Sequence, residues 1–242
     1  MGPTSIFLPG FYSSPNSTIV MKTALTKIVT LLLLAGLSGV VCSTALAQQP
    51  PPEGDGWVSI FDGESLEGWR ASENENTFSV QDGMIVVDGE RSHLFYVGEV
   101  ADHNFDNFEF RADVKSMPGA NSGIYFHTEY QEEGWPSKGY EAQINNTYEG
   151  DPRRTGSLYA VQDVKESPVD DNEWFTMHIR VKGDSISIAV DGETMVEYTE
   201  PADVERPDNM SGRVLSSGTV ALQGHDPDSV VHFKNIYVKP LD

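Results

Sequence analysis

Residues 174–198 read WFTMHIRVKGDSISIAVDGETMVEY. Phe175, Met177, Ile179 and Val181 take one set of alternating positions, and Thr176, His178, Arg180 and Lys182 take the other. Successive side chains of a strand point to opposite faces, so this run predicts a strand with one dry and one wet face. Lys182-Gly183-Asp184 turns the chain into SISIAV, and Asp191-Gly192 turns it again, with Gly supplying the positive φ of a tight hairpin.

The same pattern spreads outward in both directions. Phe108, Phe110, Ala112 and Val114 oppose Glu109, Arg111 and Asp113. Further candidate strands are WVSIF, TFSV, MIVVDG, HLFYVG, SGIYFHTEY, YEAQIN, SLYAV, GTVALQGH and VVHFKNIYV, with Gln81-Asp82-Gly83 as another turn. No amphipathic helix is expected; Ser211 to Leu215 reads as a short turn at most. A dozen or more short strands predict an all-β, two-sheet antiparallel sandwich or jelly roll. Residues 57–242 read as one domain without an internal repeat.

The start of the chain has a different character. From Met21, MKTALTKIVTLLLLAGLSGVVCSTALAQQP carries Lys22 and Lys27, then an apolar run, then Ala45-Leu46-Ala47 as a small-residue cleavage site. This predicts a leader over 1–47 with a signal peptide that starts at Met21 and is cut near Ala47, and a secreted or periplasmic protein. A lipoprotein reading on Cys42 is the weaker one, because Val41 stands where a small residue belongs. Residues 48–56, QQPPPEGDG, form a Pro- and Gly-rich linker.

Cys42 is the only cysteine, so the domain holds itself by core burial without a disulfide. Beyond residue 47 stand 14 basic against 37 acidic residues, a formal charge of −23. Such a surface lacks the basic patch that nucleic acid or an anionic membrane requires, and it tolerates a neutral sugar or a divalent cation. The chain also lacks a G-x-S-x-G elbow, a phosphate-binding Gly loop, a dinucleotide fingerprint and H-E-x-x-H.

Two stretches carry unusual polar faces. In GYEAQINNTY, residues 139–148, alternation puts Tyr140, Ala142 and Ile144 on one side and Glu141, Gln143 and Asn145 on the other. In GTVALQGH, Gln223 and His225 share a face opposite Val220 and Leu222.

WVSIFDGESLEGWR resembles the FDG-x-x-L-x-GW opening of the 3-keto-disaccharide hydrolase domain family. NSGIYFHTEY, GYEAQINNTY, RTGSLYAV, NEWFTMHIRVKGDSISIAVDG and SGTVALQGHDPDSVVHFKNIYVKPL resemble its successive core strands, from Trp57 to Leu241. The resemblance implies a concanavalin A-like jelly roll, export by glycan-degrading bacteria, and activity on glycosides oxidised at C3. It also implies a site on the concave sheet, where Glu141 and His225 would be the catalytic pair, with acid and base not yet assigned. Asn121, Tyr125, His127, Gln143, Asn145, Arg154, Tyr159 and Gln223 would bind substrate. Tyr125, Tyr159 and Trp135 are candidate sugar platforms. Trp69 and Trp174 are expected in the core, His178 on the convex surface, and His93, His103 and His232 receive no role.

Laminarinase-type relatives carry E-x-D-x-x-E on one strand, whereas the run from Glu141 is EAQIN. The two-carboxylate mechanism is therefore disfavoured. A 3-keto sugar needs only a base for the acidified C2 proton, a stabiliser for the enolate oxygen and an acid at the leaving oxygen. A divalent metal (Mn, Zn, Co or Ca) is a possible cofactor, with His127, Glu141 and His225 as first ligands to test. Asp226 and Asp228 in HDPDS would suit Ca²⁺, but read more simply as a loop. A separate exported glycoside 3-oxidoreductase would have to supply the substrate. The alternative is a non-catalytic carbohydrate-binding module on the same fold.

Overall fold

The computed structural model describes residues 50–242. The predicted leader and cleavage site lie outside the described residues. Thirteen strands occur among them: β1 (Val58–Ser59), β2 (Trp69–Ala71), β3 (Phe78–Gln81), β4 (Met84–Val87), β5 (Ser92–Tyr96), β6 (Phe108–Ser116), β7 (Ser122–Thr128), β8 (Tyr140–Ile144), β9 (Trp174–Lys182), β10 (Ser185–Val190), β11 (Glu193–Thr199), β12 (Thr219–Gly224) and β13 (Val231–Pro240). The larger sheet runs β11-β10-β9-β6-β13-β4-β3, with β1 also on β13, and the smaller runs β2-β5-β12-β7-β8. All the pairings are antiparallel.

Alternation explains how the sheets face each other. Phe110 pairs with Ile179 and Ala112 with Met177 across β6 and β9, and all four are fully buried. They join Ile124, Phe126, Tyr140, Ala142, Ile144, Val220 and Leu222 of the smaller sheet in one core. Burying each large side chain contributes roughly 1.5–3 kcal/mol. Asp191 and Gly192 both take positive φ, 49° and 81°, the signature of a type I′ hairpin turn.

Three local expectations change. SLYAV is not a strand: Leu158 makes isolated bridges to Ala142 and Gln162, and the segment covers the open edge of β8. Trp69–Ala71 is a strand instead, three residues long and too short to show a period. Trp69 is buried as expected, its indole N–H donating to the Ile60 carbonyl at 2.7 Å. Trp174 is outside the core, because the alternation that buries Phe175 turns Trp174 outward, over Lys234 at 4.0 Å. His178 also stands on that outer face, bonded to Glu109 at 2.9 Å. No helix among the described residues is long and apolar enough to cross a membrane.

Candidate active site

β8 is buried on both faces. Tyr140, Ala142 and Ile144 enter the core, so Glu141 and Gln143 emerge on the outer face of the smaller sheet, where they line a cavity of about 540 Å³. Tyr125 of β7 lies directly beside Glu141, and Gly123 beside Gln143. Gly123 is needed for room: a Cβ there would come within 2.6 Å of Glu141 Oε1. Across that gap Gln223 of β12 donates to Glu141 Oε1 at 3.2 Å and to the Tyr125 hydroxyl at 3.3 Å. Gln143 donates to Asn121 Oδ1 at 2.9 Å. The amide oxygens of Gln143 and Gln223 are buried without a partner among the described residues, two acceptors that a bound hydroxyl would satisfy.

The wall beyond the edge of β8 comes from loops. The Tyr159 N–H donates to the Glu141 carbonyl at 2.9 Å, which fixes Tyr159 next to the floor. Its hydroxyl donates to Asp151 Oδ2 at 3.0 Å. Arg213, from the connection between β11 and β12, reaches Glu141 Oε2 at 3.4 Å and donates to the Tyr159 carbonyl at 3.0 Å. Arg213 escapes a reading of the sequence because it is 72 residues from Glu141, on a segment with no periodicity.

The opposite rim holds His225 and Trp135, with ring centroids 5.0 Å apart. The His225 Nδ1 bonds the Asp226 carboxylate, which leaves Nε2 without a partner among the described residues. This is the arrangement in which a carboxylate fixes an imidazole's tautomer and direction. Asp226 is itself partly buried, which pulls its pKa up. The bonds from His225, the Asp228 N–H and Ser229 outweigh that and hold it below the usual carboxylate range.

The electrostatics single out Glu141. Burial pushes its pKa up, and Arg213, Tyr125 and Gln223 only partly offset this. Burial also pushes the Tyr125 phenol well up, and the neighbouring Glu141 adds to the effect, so Tyr125 stays a neutral donor to that carboxylate. Asp151 and Asp208 line the cavity as well. Asp151 is occupied by Arg153 and Tyr159, and Asp208 is exposed.

Of the residues expected at the site, Glu141, His225, Asn121, Tyr125, Gln143, Tyr159 and Gln223 line the cavity, as does Trp135. Asn145, Arg154 and His127 lie outside its lining. β8 ends at Ile144, so alternation no longer governs Asn145, and its amide caps the carbonyls of Tyr148, Asp151 and Arg153. Arg154 is drawn into the same loop, donating to Asn145 Oδ1 and to the Tyr148 carbonyl. His127 sits at a register shift with φ +54°, which turns its ring against Phe108. Both its nitrogens are used, by the Asp106 carbonyl and the Ser216 N–H. The trio of His127, Glu141 and His225 therefore does not converge, and no group of three His, Cys, Asp or Glu suited to a metal occurs among the described residues.

Comparison with known proteins fits this geometry. A family model described as the 3-keto-alpha-glucoside-1,2-lyase-like domain matches residues 56–239. A 3-keto-disaccharide hydrolase of Bacteroides thetaiotaomicron is 26% identical over 239 residues, covering 80% of this chain and 81% of that protein. The crystal structure of a candidate glycosyl hydrolase from Parabacteroides distasonis superposes with a TM-score of 0.66 at 25% identity, over 77% of this chain and 94% of that one. A galectin-like protein of Bacillus subtilis matches with a TM-score of 0.51 at 10% identity, over 72% and 90%, a likeness of fold alone.

Proposed function

This chain belongs to the 3-keto-alpha-glucoside-1,2-lyase-like family, and on that footing we propose that it cleaves the glycosidic bond of 3-keto-glycosides by elimination and hydration. The observation that carries the reading is Glu141: a carboxylate buried in the cavity floor, its pKa raised, between Arg213 on one oxygen and Gln223 on the other.

A ketone at C3 acidifies the C2 proton. Glu141 takes that proton, and the electron pair moves into an enolate whose oxygen at C3 gains charge. The Arg213 guanidinium and the neutral Tyr125 phenol supply fixed donors beside the buried Glu141, where such donors act most strongly. The enolate collapses, C1 and C2 become doubly bonded, and the C1–O bond breaks. The imidazole of His225, oriented by Asp226, protonates the departing oxygen. Water then adds at C1 and its second proton returns to His225, while Glu141, its proton exchanged with solvent at the glycal stage, protonates C2. The sum is a hydrolysis, with acid and base back in their starting forms.

Glu141 is assigned as base over His225 because it lies at the floor, ringed by donors, whereas His225 stands at the rim where a leaving group would exit. The remaining loop carboxylate close to it, Asp151, already accepts from Arg153 and Tyr159, which argues against a second acid working on water at C1.

The substrate carries no charge, in keeping with an acidic surface, and a separate oxidoreductase would make the 3-keto group. Export with cleavage near Ala47 is part of the same proposal, and N-terminal sequencing of the mature protein tests it. For the reaction, purified protein is offered 3-keto-trehalose and trehalose in parallel. Release of 3-keto-glucose or the 2-hydroxy-glycal from the first alone is expected. Saturable binding of either sugar with no cleavage would instead support a binding module.

A further inference from the structure

Behind the cavity rim lies a polar group that the proposed chemistry leaves unused. His93 of β5 is fully buried, and neither ring nitrogen has a hydrogen-bond partner among the described residues. An orphaned buried donor or acceptor gives up its hydrogen bonds to water with nothing in return, so a chain that keeps two on one ring calls for an explanation. The cover is aromatic. Tyr125 stands edge-on at 5.4 Å between ring centroids, and Trp135 edge-on at 5.6 Å. Trp135 is also 5.0 Å from His225, so its indole separates a hidden imidazole from one that lines the cavity.

Trp135 is itself only half covered, 44% exposed, on the connection between β7 and β8. Near the indole that connection is held to the body by the Gly134 N–H on Glu73 at 3.2 Å, and by Arg91 5.3 Å from the ring. The bonds of Gln131 to Glu133, Trp135 and Ser137 stay within the loop. A swing of the indole therefore breaks no side-chain hydrogen bond to the sheet.

We propose that Trp135 covers a second sugar subsite whose polar floor is His93. When a glycoside enters, the indole leaves His93 and stacks on the leaving-group ring, and one nitrogen of the imidazole hydrogen-bonds a hydroxyl of that ring. The inference rests on the glycoside reading above and narrows it, because the leaving group is then itself a sugar. Burial holds the His93 pKa down at about 3, which keeps the ring neutral, with one donor and one acceptor, across the working pH range. A sugar hydroxyl, donor and acceptor at once, complements either nitrogen.

Two experiments on the full-length protein decide it. In the first, diethyl pyrocarbonate modification of each histidine is followed by peptide mass mapping. His93 should be protected in the wild type, react at least tenfold faster in Trp135→Ala, and be protected again by trehalose. Equal protection in both proteins would overturn the cover, and modification unaffected by trehalose would overturn the subsite. This arm needs no turnover, so it stands even if no 3-keto-glycoside is cleaved and the proposed reaction fails. In the second, kcat/KM for 3-keto-trehalose is divided by kcat/KM for methyl 3-keto-α-glucoside. The ratio should fall at least tenfold in His93→Phe and recover in part in His93→Gln, which restores a donor and an acceptor. A ratio within twofold of wild type in both variants would contradict the proposal, and a purely packing role would give no recovery with Gln.

Discussion

Burial raises the Glu141 pKa while Arg213 pulls it down, and burial wins. Two consequences follow from one substitution. Glu141→Gln keeps the shape and the bond from Gln223 but removes the base, so kcat/KM on 3-keto-trehalose should drop by about 10²–10⁴-fold. The same change alters stability in a pH-dependent way. The unfolded Glu141 loses its proton near the ordinary value of 4.5, whereas the folded one holds it to higher pH. Its favourable contribution is thus fully present below 4.5 and is lost as pH rises through the folded pKa. Urea unfolding at a series of pH values should show the Gln variant gaining on the wild type as pH rises, and a constant difference would contradict the raised pKa. Glu141 and Gln143 were legible as neighbours on one face from alternation alone. Arg213 and Asp151 were not, because loops deliver them and no spacing rule links them to β8.

At the scale of the element, the site depends on how closely β7, β8 and β12 are packed. Gly123 leaves open the space that the Glu141 side chain fills. Gly123→Ala should leave a folded sheet, since β7 there is ordinary extended strand, yet displace the carboxylate and cost about 10–100-fold in kcat/KM, in line with small misplacements of catalytic groups. Circular dichroism beside the kinetics separates this from unfolding. The strands themselves were readable wherever a run held its period for five residues or more, as in β6, β9 and β10. Alternation loses its hold at interruptions. β8 stops one residue before Asn145, a register shift at His127 turns that ring aside, and Trp69–Ala71 is too short to show alternation. SLYAV has strand-like residues but turns back on itself, with the Leu158 N–H bonded to the Gln162 carbonyl.

For the whole molecule, the histidine buried behind Trp135 links the fold to acid. His93 is held near pKa 3 by burial, while its unfolded value is 6.5. Its stability contribution is complete above pH 6.5 and is lost as pH falls from there toward 3, at up to about 1.4 kcal/mol per pH unit. Acid unfolding of His93→Phe should lack that component, and an unchanged acid limb would show that His93 does not set it. The two sheets and the acidic surface were visible in the sequence, whereas the cavity was not, since its walls come from the connections after β7, β8, β11 and β12. The central claim, proton removal at C2 by Glu141, is tested most directly by running the cleavage of 3-keto-trehalose in D₂O. Early 3-keto-glucose should carry one deuterium at C2, above the level in 3-keto-glucose incubated alone, and Glu141→Gln should abolish the incorporation. Cleavage at the wild-type rate with protium retained at C2 would contradict the account, in which the proton on Glu141 exchanges before it returns, whereas direct displacement at C1 leaves the C2 proton untouched.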